Sequence, residues 1–183
     1  MIKKMKFDKK DAKDIFENAI SWIVVLAMFI YGGAKIIQFD GAAEINKTVS
    51  EMSGMELMWA FYGYSKAYAI TLGVFEVLGG ILLLIKRTRM IGSLLISAIL
   101  VNVIFQDIYF GVNQGALRAA LLYQMLIVII LYLNKEKIIH SIRVLLARSG
   151  SSSPKLKILL KLAMAFMLFV VLRIAEYWIT IRI

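Results

Sequence analysis

The length of its apolar runs narrows this chain more than any other feature. Five segments, at about 18–37, 66–85, 90–110, 116–133 and 158–181, are mostly apolar over roughly the 20 residues that a helix needs to cross a bilayer core. Charged residues make up 19% of the chain and are bunched between these runs. An ordinary soluble domain is about 45–50% apolar. This chain is 61% apolar, too much for a water-soluble core of its 183 residues. The pattern excludes a soluble enzyme and a disordered chain. It predicts an all-α fold: a transmembrane four-helix bundle followed by a fifth, C-terminal transmembrane helix.

The charges divide the chain further. A stub, 1–17, carries Lys3, Lys4, Lys6, Lys9, Lys10 and Lys13 against Asp8, Asp11, Asp14 and Glu17. Its mixed charge, and the length of the run after it, do not read as a cleavable signal. The loop 38–65 holds Asp40, Glu44, Glu51 and Glu56 against Lys47. Lys86, Arg87 and Arg89 form a second, wholly basic connection, and the third, 107–115, has no base. The fourth has Lys135, Lys137, Arg143, Arg148, Lys155 and Lys157 against Glu136. Basic connections stay on the cytosolic side. The alternation therefore predicts a multi-pass protein of the bacterial inner membrane, with a cytosolic N-terminus and an outward C-terminus. The bundle would occupy 18–133, a cytosolic amphipathic segment and linker 134–157, and the last helix 158–183. The net charge of +10 then sets topology and meets anionic lipid. It does not point to nucleic acid, because the basic residues flank apolar spans.

The chain has no cysteine and one histidine, His140. It can form no disulfide, thiolate nucleophile, iron–sulfur ligand set or bis-histidine haem site. No phosphate-binding loop, nucleophile elbow, zinc-protease motif or dinucleotide fingerprint is present in its required context.

Two connections are more than linkers. The outer loop 38–65 contains Gly54-Met55-Glu56-Leu57-Met58-Trp59-Ala60-Phe61-Tyr62-Gly63-Tyr64. Trp and Tyr suit the interface, where an apolar ring and a polar tip are both satisfied. A short helix is expected here, either as an aromatic belt or as a lid, with Trp59, Tyr62 and Tyr64 as lid candidates. In the fourth connection Ile138, Ile139, Ile142, Leu145 and Leu146 share a helical face, which predicts an amphipathic helix on the inner leaflet with His140 at its surface. Ser149-Gly150-Ser151-Ser152-Ser153-Pro154 then reads as a flexible linker.

An ionisable side chain inside a span needs a reason to be there. Glu76 lies near the middle of the second span and is too short to snorkel, so it should be protonated or paired. It is either part of a proton, quinone or headgroup site, or a structural contact between helices. A rise of about 1.5 Å per residue puts Lys35, Arg118, Asp107, Gln106 and Asn102 in the outer half of their spans. These groups could converge on an outward-opening polar pocket, with Arg118–Asp107 as the expected ion pair and Lys35 either joining it or snorkelling to the surface. Arg173 and Glu176, three apart, should pair along the fifth span, and Tyr177, Trp178 and Arg182 mark its outer boundary. Gly32, Gly33, Gly73, Gly79, Gly80, Gly92, Ser93 and Ser97 are expected at helix–helix contacts.

Tyr31-Gly32-Gly33-Ala34-Lys35-Ile36-Ile37-Gln38-Phe39 and Gly73-Val74-Phe75-Glu76-Val77-Leu78-Gly79-Gly80, followed by Arg87, Arg89 and Gly92, resemble the DoxX-like family of small bacterial membrane proteins. The resemblance covers about 18–133. It implies a four-helix membrane bundle and carries over Lys35, Glu76, Gly79 and Gly80. It also implies mixed roles: the small subunit of a thiosulfate:quinone oxidoreductase, a membrane partner of secreted redox enzymes, or cargo export and receptor assembly. The linker and fifth span depart from that pattern. The expectation is a non-catalytic accessory subunit of a membrane redox system, with no covalent cofactor and a buried polar site for a quinone or lipid headgroup. Its partners would be the bilayer and a protein of a redox or export complex. The alternative is a transporter of small molecules or lipids, or a membrane chaperone. An intramembrane enzyme has little support, and the sequence leaves the oligomeric state open.

Overall fold

The computed structural model describes residues 8–147 and 154–181 and is helical throughout its regular elements. Lys3, Lys4, Lys6, Arg148, the serines of the linker and Arg182 lie outside the described residues. The chain divides into two compact units, Met1–His140 and Ser141–Ile183.

In the first unit, α1 (Lys9–Ala34) starts well before the expected span, because Asp8 and Asp11 form a reciprocal capping box. Asp8 accepts from the Asp11 amide at 2.8 Å, and Asp11 accepts from the Asp8 amide at 3.0 Å. The stub is thus mostly the first turns of a helix, and its last acid, Glu17, is buried. Glu17, Ile20, Ser21, Val24, Met28 and Gly32 recur every three or four residues and form the inward stripe. Turns and a single 3-10 turn (Ala42–Glu44) lead to α2 (Gly54–Tyr64). Then come α3 (Lys66–Leu84), α4 (Arg89–Tyr109) and α5 (Gln114–Leu133).

Helix α1 packs on α3 and α5, and α4 packs on the same two. The four long helices close into a ring in the order α1, α3, α4, α5. The ring core holds Val24, Met28, Leu83, Ile96, Ile127 and Ile130, none more than 2% exposed. A second cluster, Phe39, Met58, Tyr62 and Ala69, sits under α2. The two clusters split the bundle into an apolar body and an aromatic end.

Small residues set the closest approach. A Cβ on Gly32 would lie 2.7 Å from the Gly73 carbonyl oxygen and 2.8 Å from Val77 Cγ2, so α1 and α3 touch backbone to backbone. Gly33 does not share this role: a Cβ there would meet nothing within 4 Å, because it faces out of the ring.

At the end opposite α2, Arg89 is 3% and Glu17 5% exposed. Arg89 Nη1 lies 3.1 Å from Glu17 Oε1, Nη2 donates to Asn18 Oδ1 at 2.8 Å, and Nε donates to the Leu83 carbonyl at 3.1 Å. Arg89 reads from sequence as a surface topology signal. It is instead a buried tie between α1, α3 and α4. Lys86 pairs with Asp14 at 2.6 Å and Lys13 donates to the Leu133 carbonyl, closing the same end.

Helix α6 (Lys135–Leu146) follows, with Ile139, Ile142, Leu145, Leu146 and His140 all exposed. In the second unit, α7 (Lys155–Ile181) begins after Pro154, a residue suited to a helix start. Leu159, Phe166, Phe169 and Leu172 are more than half exposed, as expected of side chains that face lipid. Arg173 and Glu176 form the expected pair at 2.5 Å.

Candidate functional site

The polar site is built where α1 ends. Lys35 caps the C-terminus of α1 in an αR conformation, where a cation suits the helix dipole. Because Gly73 has no side chain, the Lys35 stem lies against α3: a Cβ on Gly73 would sit 3.0 Å from Lys35 Cβ. The ammonium then turns inward. Lys35 Nζ stands 3.4 Å from Glu76 Oε1 and donates to Gln38 Oε1 at 3.2 Å. Their side chains are 13% and 6% exposed, so Lys35 does not snorkel. It also lies 5.8 Å from the centre of the Phe39 ring, in cation–π range.

Glu76 faces a cavity of about 680 Å³ inside the α2 end of the bundle. Helix α1 supplies Met28 and Tyr31, with Lys35, Gln38 and Phe39 just beyond it. Helix α3 supplies Leu72, Phe75 and Glu76, and α4 supplies Leu95, Ala98, Ile99, Asn102, Gln106 and Asp107. Helix α5 supplies Ala116, Ala120 and Tyr123. Phe75, Ala98 and Asn102 line the cavity and are themselves exposed, so it is open rather than sealed.

Helix α2 covers one side. Met55, Met58, Trp59 and Tyr62 line the cavity at spacings of three and four, which is one helical face. Ser53 and Glu56 cap the helix reciprocally, and Lys47 pairs with Glu56 at 2.6 Å. That lysine, with the Ser53 donors, lowers the Glu56 carboxyl to about 2. Gly54 sits against the last residue after α4: a Cβ there would meet the Phe110 carbonyl oxygen at 2.5 Å. Tyr62 donates to Gln106 Oε1 at 2.8 Å and stacks on Phe39 with centroids 4.9 Å apart. Burial pushes the Tyr62 phenol up from its ordinary range. It stays protonated and able to donate.

Two carboxylates in this cavity are incompletely satisfied. Glu76 is 4% and Asp107 6% exposed, and Glu76 Oε2 and Asp107 Oδ2 have no hydrogen-bond partner among the described residues. Buried polar atoms without partners are rare and ask for an explanation.

Of the residues singled out from sequence, Lys35, Glu76, Asn102, Gln106, Asp107, Trp59 and Tyr62 are brought together. Arg118 and Tyr64 are not. On α5 the cavity face is Ala116 and Ala120, and Arg118, midway between them, falls on the opposite side. Arg118 is exposed and makes no ion pair with Asp107. Depth along a helix does not give the direction of a side chain around it. Tyr64 fails as a lid residue for the same reason. It lies two residues past Tyr62, is 87% exposed, and borders a shallow apolar hollow with Phe61 and Tyr68. Tyr31, Gln38, Phe39 and Tyr123 were missed. Tyr31 could have been found, since it precedes Lys35 by four residues on one face. The loop residues Gln38 and Phe39 carry no such signal.

Five apolar helices of membrane-spanning length, four of them ringed around this cavity, define a multi-pass helical membrane protein. The chain belongs to the same family as the uncharacterized protein YwoB of Bacillus subtilis (strain 168). The two are 32% identical over 112 residues, which cover 60% of this chain and 70% of YwoB. No family model and no solved structure matches the chain.

Proposed function

We propose that this chain is a non-catalytic accessory protein of the bacterial inner membrane that holds the head of a membrane-soluble molecule in the Glu76 cavity. The observation that carries the reading is the pair of buried acceptor atoms, Glu76 Oε2 and Asp107 Oδ2, facing a largely apolar, open cavity. Ligand sites commonly combine apolar walls with a few placed polar groups. In its ionised form a carboxylate only accepts, so a head that brings donors suits these atoms. The hydroxyls of a reduced quinone would do so, and so would the ammonium of a lipid headgroup. When bound, a quinone would supply the redox chemistry. This chain would orient it through Glu76 and Asp107 and shield it with α2. With no cysteine and one histidine, the chain suits a partner-dependent redox role, in line with its resemblance to DoxX-like proteins. The alternation of basic connections supports a cytosolic N-terminus, with α2 and the cavity mouth on the outer side.

The test is extraction of bound molecules from protein purified in mild detergent, identified by mass spectrometry, with Glu76→Gln alongside. A quinone or a defined lipid should accompany the wild type and be lost from the variant. If both proteins carry only the same bulk lipid, the reading fails and Glu76 is a packing contact.

A further inference from the structure

The charge count inside the cavity is uneven. Among the described residues two carboxylates, Glu76 and Asp107, line it, and Lys35 is its one basic residue. Lys35 spends its contacts on Glu76 Oε1 and Gln38 Oε1. Arg118, the other cation expected nearby, is on the far face of α5 and cannot compensate. Lys35 can balance one of the two carboxylates, so the second has no counter-ion of its own to hold it in the charged form. The acceptors that remain free belong to both acids, Glu76 Oε2 and Asp107 Oδ2.

The walls agree with this sign. Phe39 already faces the Lys35 ammonium at 5.8 Å. Tyr31 and Tyr123 approach each other at 6.3 Å across the α1–α5 side, and Trp59 closes the cavity from α2. Ring faces attract cations and repel anions. A neutral hydroxyl would satisfy one oxygen but would not let both acids ionise together, and an anionic headgroup would oppose it.

We propose that the cavity takes the protonated amine of an apolar molecule, seated between Glu76 and Asp107 with its hydrocarbon against the aromatic wall. This rests on the ligand-holding reading above and chooses the head chemistry within it. An ammonium supplies up to three N–H donors and one positive charge. It satisfies both orphan oxygens and supplies the second cation that two ionised acids require. The same chemistry occurs in an aminolipid headgroup and in a free hydrophobic amine.

The probe is dodecylamine, with dodecanol, dodecanoate and a short-chain quinol as comparisons. Binding is measured by native mass spectrometry on full-length protein in non-ionic detergent. Dodecylamine should bind most tightly. Asp107→Asn should weaken it by roughly 30-fold or more, the usual cost of deleting one partner of a buried charge contact. Asp107 has no ion pair among the described residues, so this variant should keep the wild-type melting temperature and serve as the folded control for Glu76→Gln. Competition by phosphatidylethanolamine but not phosphatidylcholine, added in mixed micelles, assigns the amine to a lipid. Absence of that competition assigns it to a free amine. Tighter binding of dodecanol or dodecanoate, or dodecylamine binding unchanged in both variants, overturns the proposal. If the quinol binds in a Glu76-dependent way and dodecylamine does not, the head chemistry is wrong but the ligand-holding reading survives. If no probe binds in a Glu76-dependent way, both fall.

Discussion

Among the described residues the bundle carries two buried ion pairs, one near each end, and they are built differently. Glu17–Arg89 is closed. Its guanidinium reaches a carboxylate, an amide oxygen and a backbone carbonyl at 2.8–3.1 Å, on two neighbouring helices, α1 and α3. Lys35–Glu76 is open. Its contacts are 3.2 and 3.4 Å long, and one Glu76 oxygen is left over beside a cavity. Arginine's planar fork suits the first task and lysine's single mobile ammonium the second. A buried charge pair reads as structure when none of its buried atoms is orphaned and as a site when one is held back.

The comparison is easiest to break at the closed end. Arg89→Met leaves Glu17 buried without its counter-charge and should cost about 3–5 kcal/mol. The readout is the unfolding midpoint in detergent, and a drop no larger than that of Glu76→Gln would remove the distinction. Next is Gly32→Ala, whose new Cβ would meet the Gly73 carbonyl oxygen at 2.7 Å. Overpacking of this kind should cost about 1–3 kcal/mol. It should also lower cavity occupancy, because the same contact seats Lys35 against α3. Equal occupancy in variant and wild type would separate the two effects. Glu76→Gln should cost only about 1–2 kcal/mol, since an amide still accepts from Lys35, yet it should lose the bound molecule.

Two smaller tests concern the cover. Tyr62→Phe deletes the bond to Gln106 and should cost about 1 kcal/mol, with faster ligand release as the more sensitive readout. Acid should loosen α2 through Glu56. Its folded value is about 2 against an ordinary 4.5, a depressed carboxyl, so its stabilisation is complete above pH 4.5 and fades as pH falls towards 2. Trp59 fluorescence, read in a Trp22→Phe, Trp178→Phe background, should change across that window. Lys47→Ala should move the change to higher pH. A flat profile from pH 6 to about 2 would show that the capping box does not hold the cover in place.

Much of the site was legible because membrane burial makes polarity conspicuous. Glu76 stood out in an apolar span, and Asn102, Gln106 and Asp107 lay close together on one helix. The face of α2 was written at three- and four-residue spacing in Met55, Met58, Trp59 and Tyr62. Arg118 was misplaced because depth was read without direction. Arg89 was misread because a base after a span looks the same on paper whether it faces water or an acid 72 residues away.

The number of spans, the all-helical class and the depth of each polar residue could be read from the residues alone. Those follow from hydrophobic length and from a fixed rise per residue, which are local properties. Which charges meet is a matter of packing. That depends on how helices rotate about their axes, and here backbone contacts such as Gly32 on Gly73 set the rotation. It turned Lys35 inward to Glu76, left Arg118 outside, and made one ion pair a fastener and the other an opening.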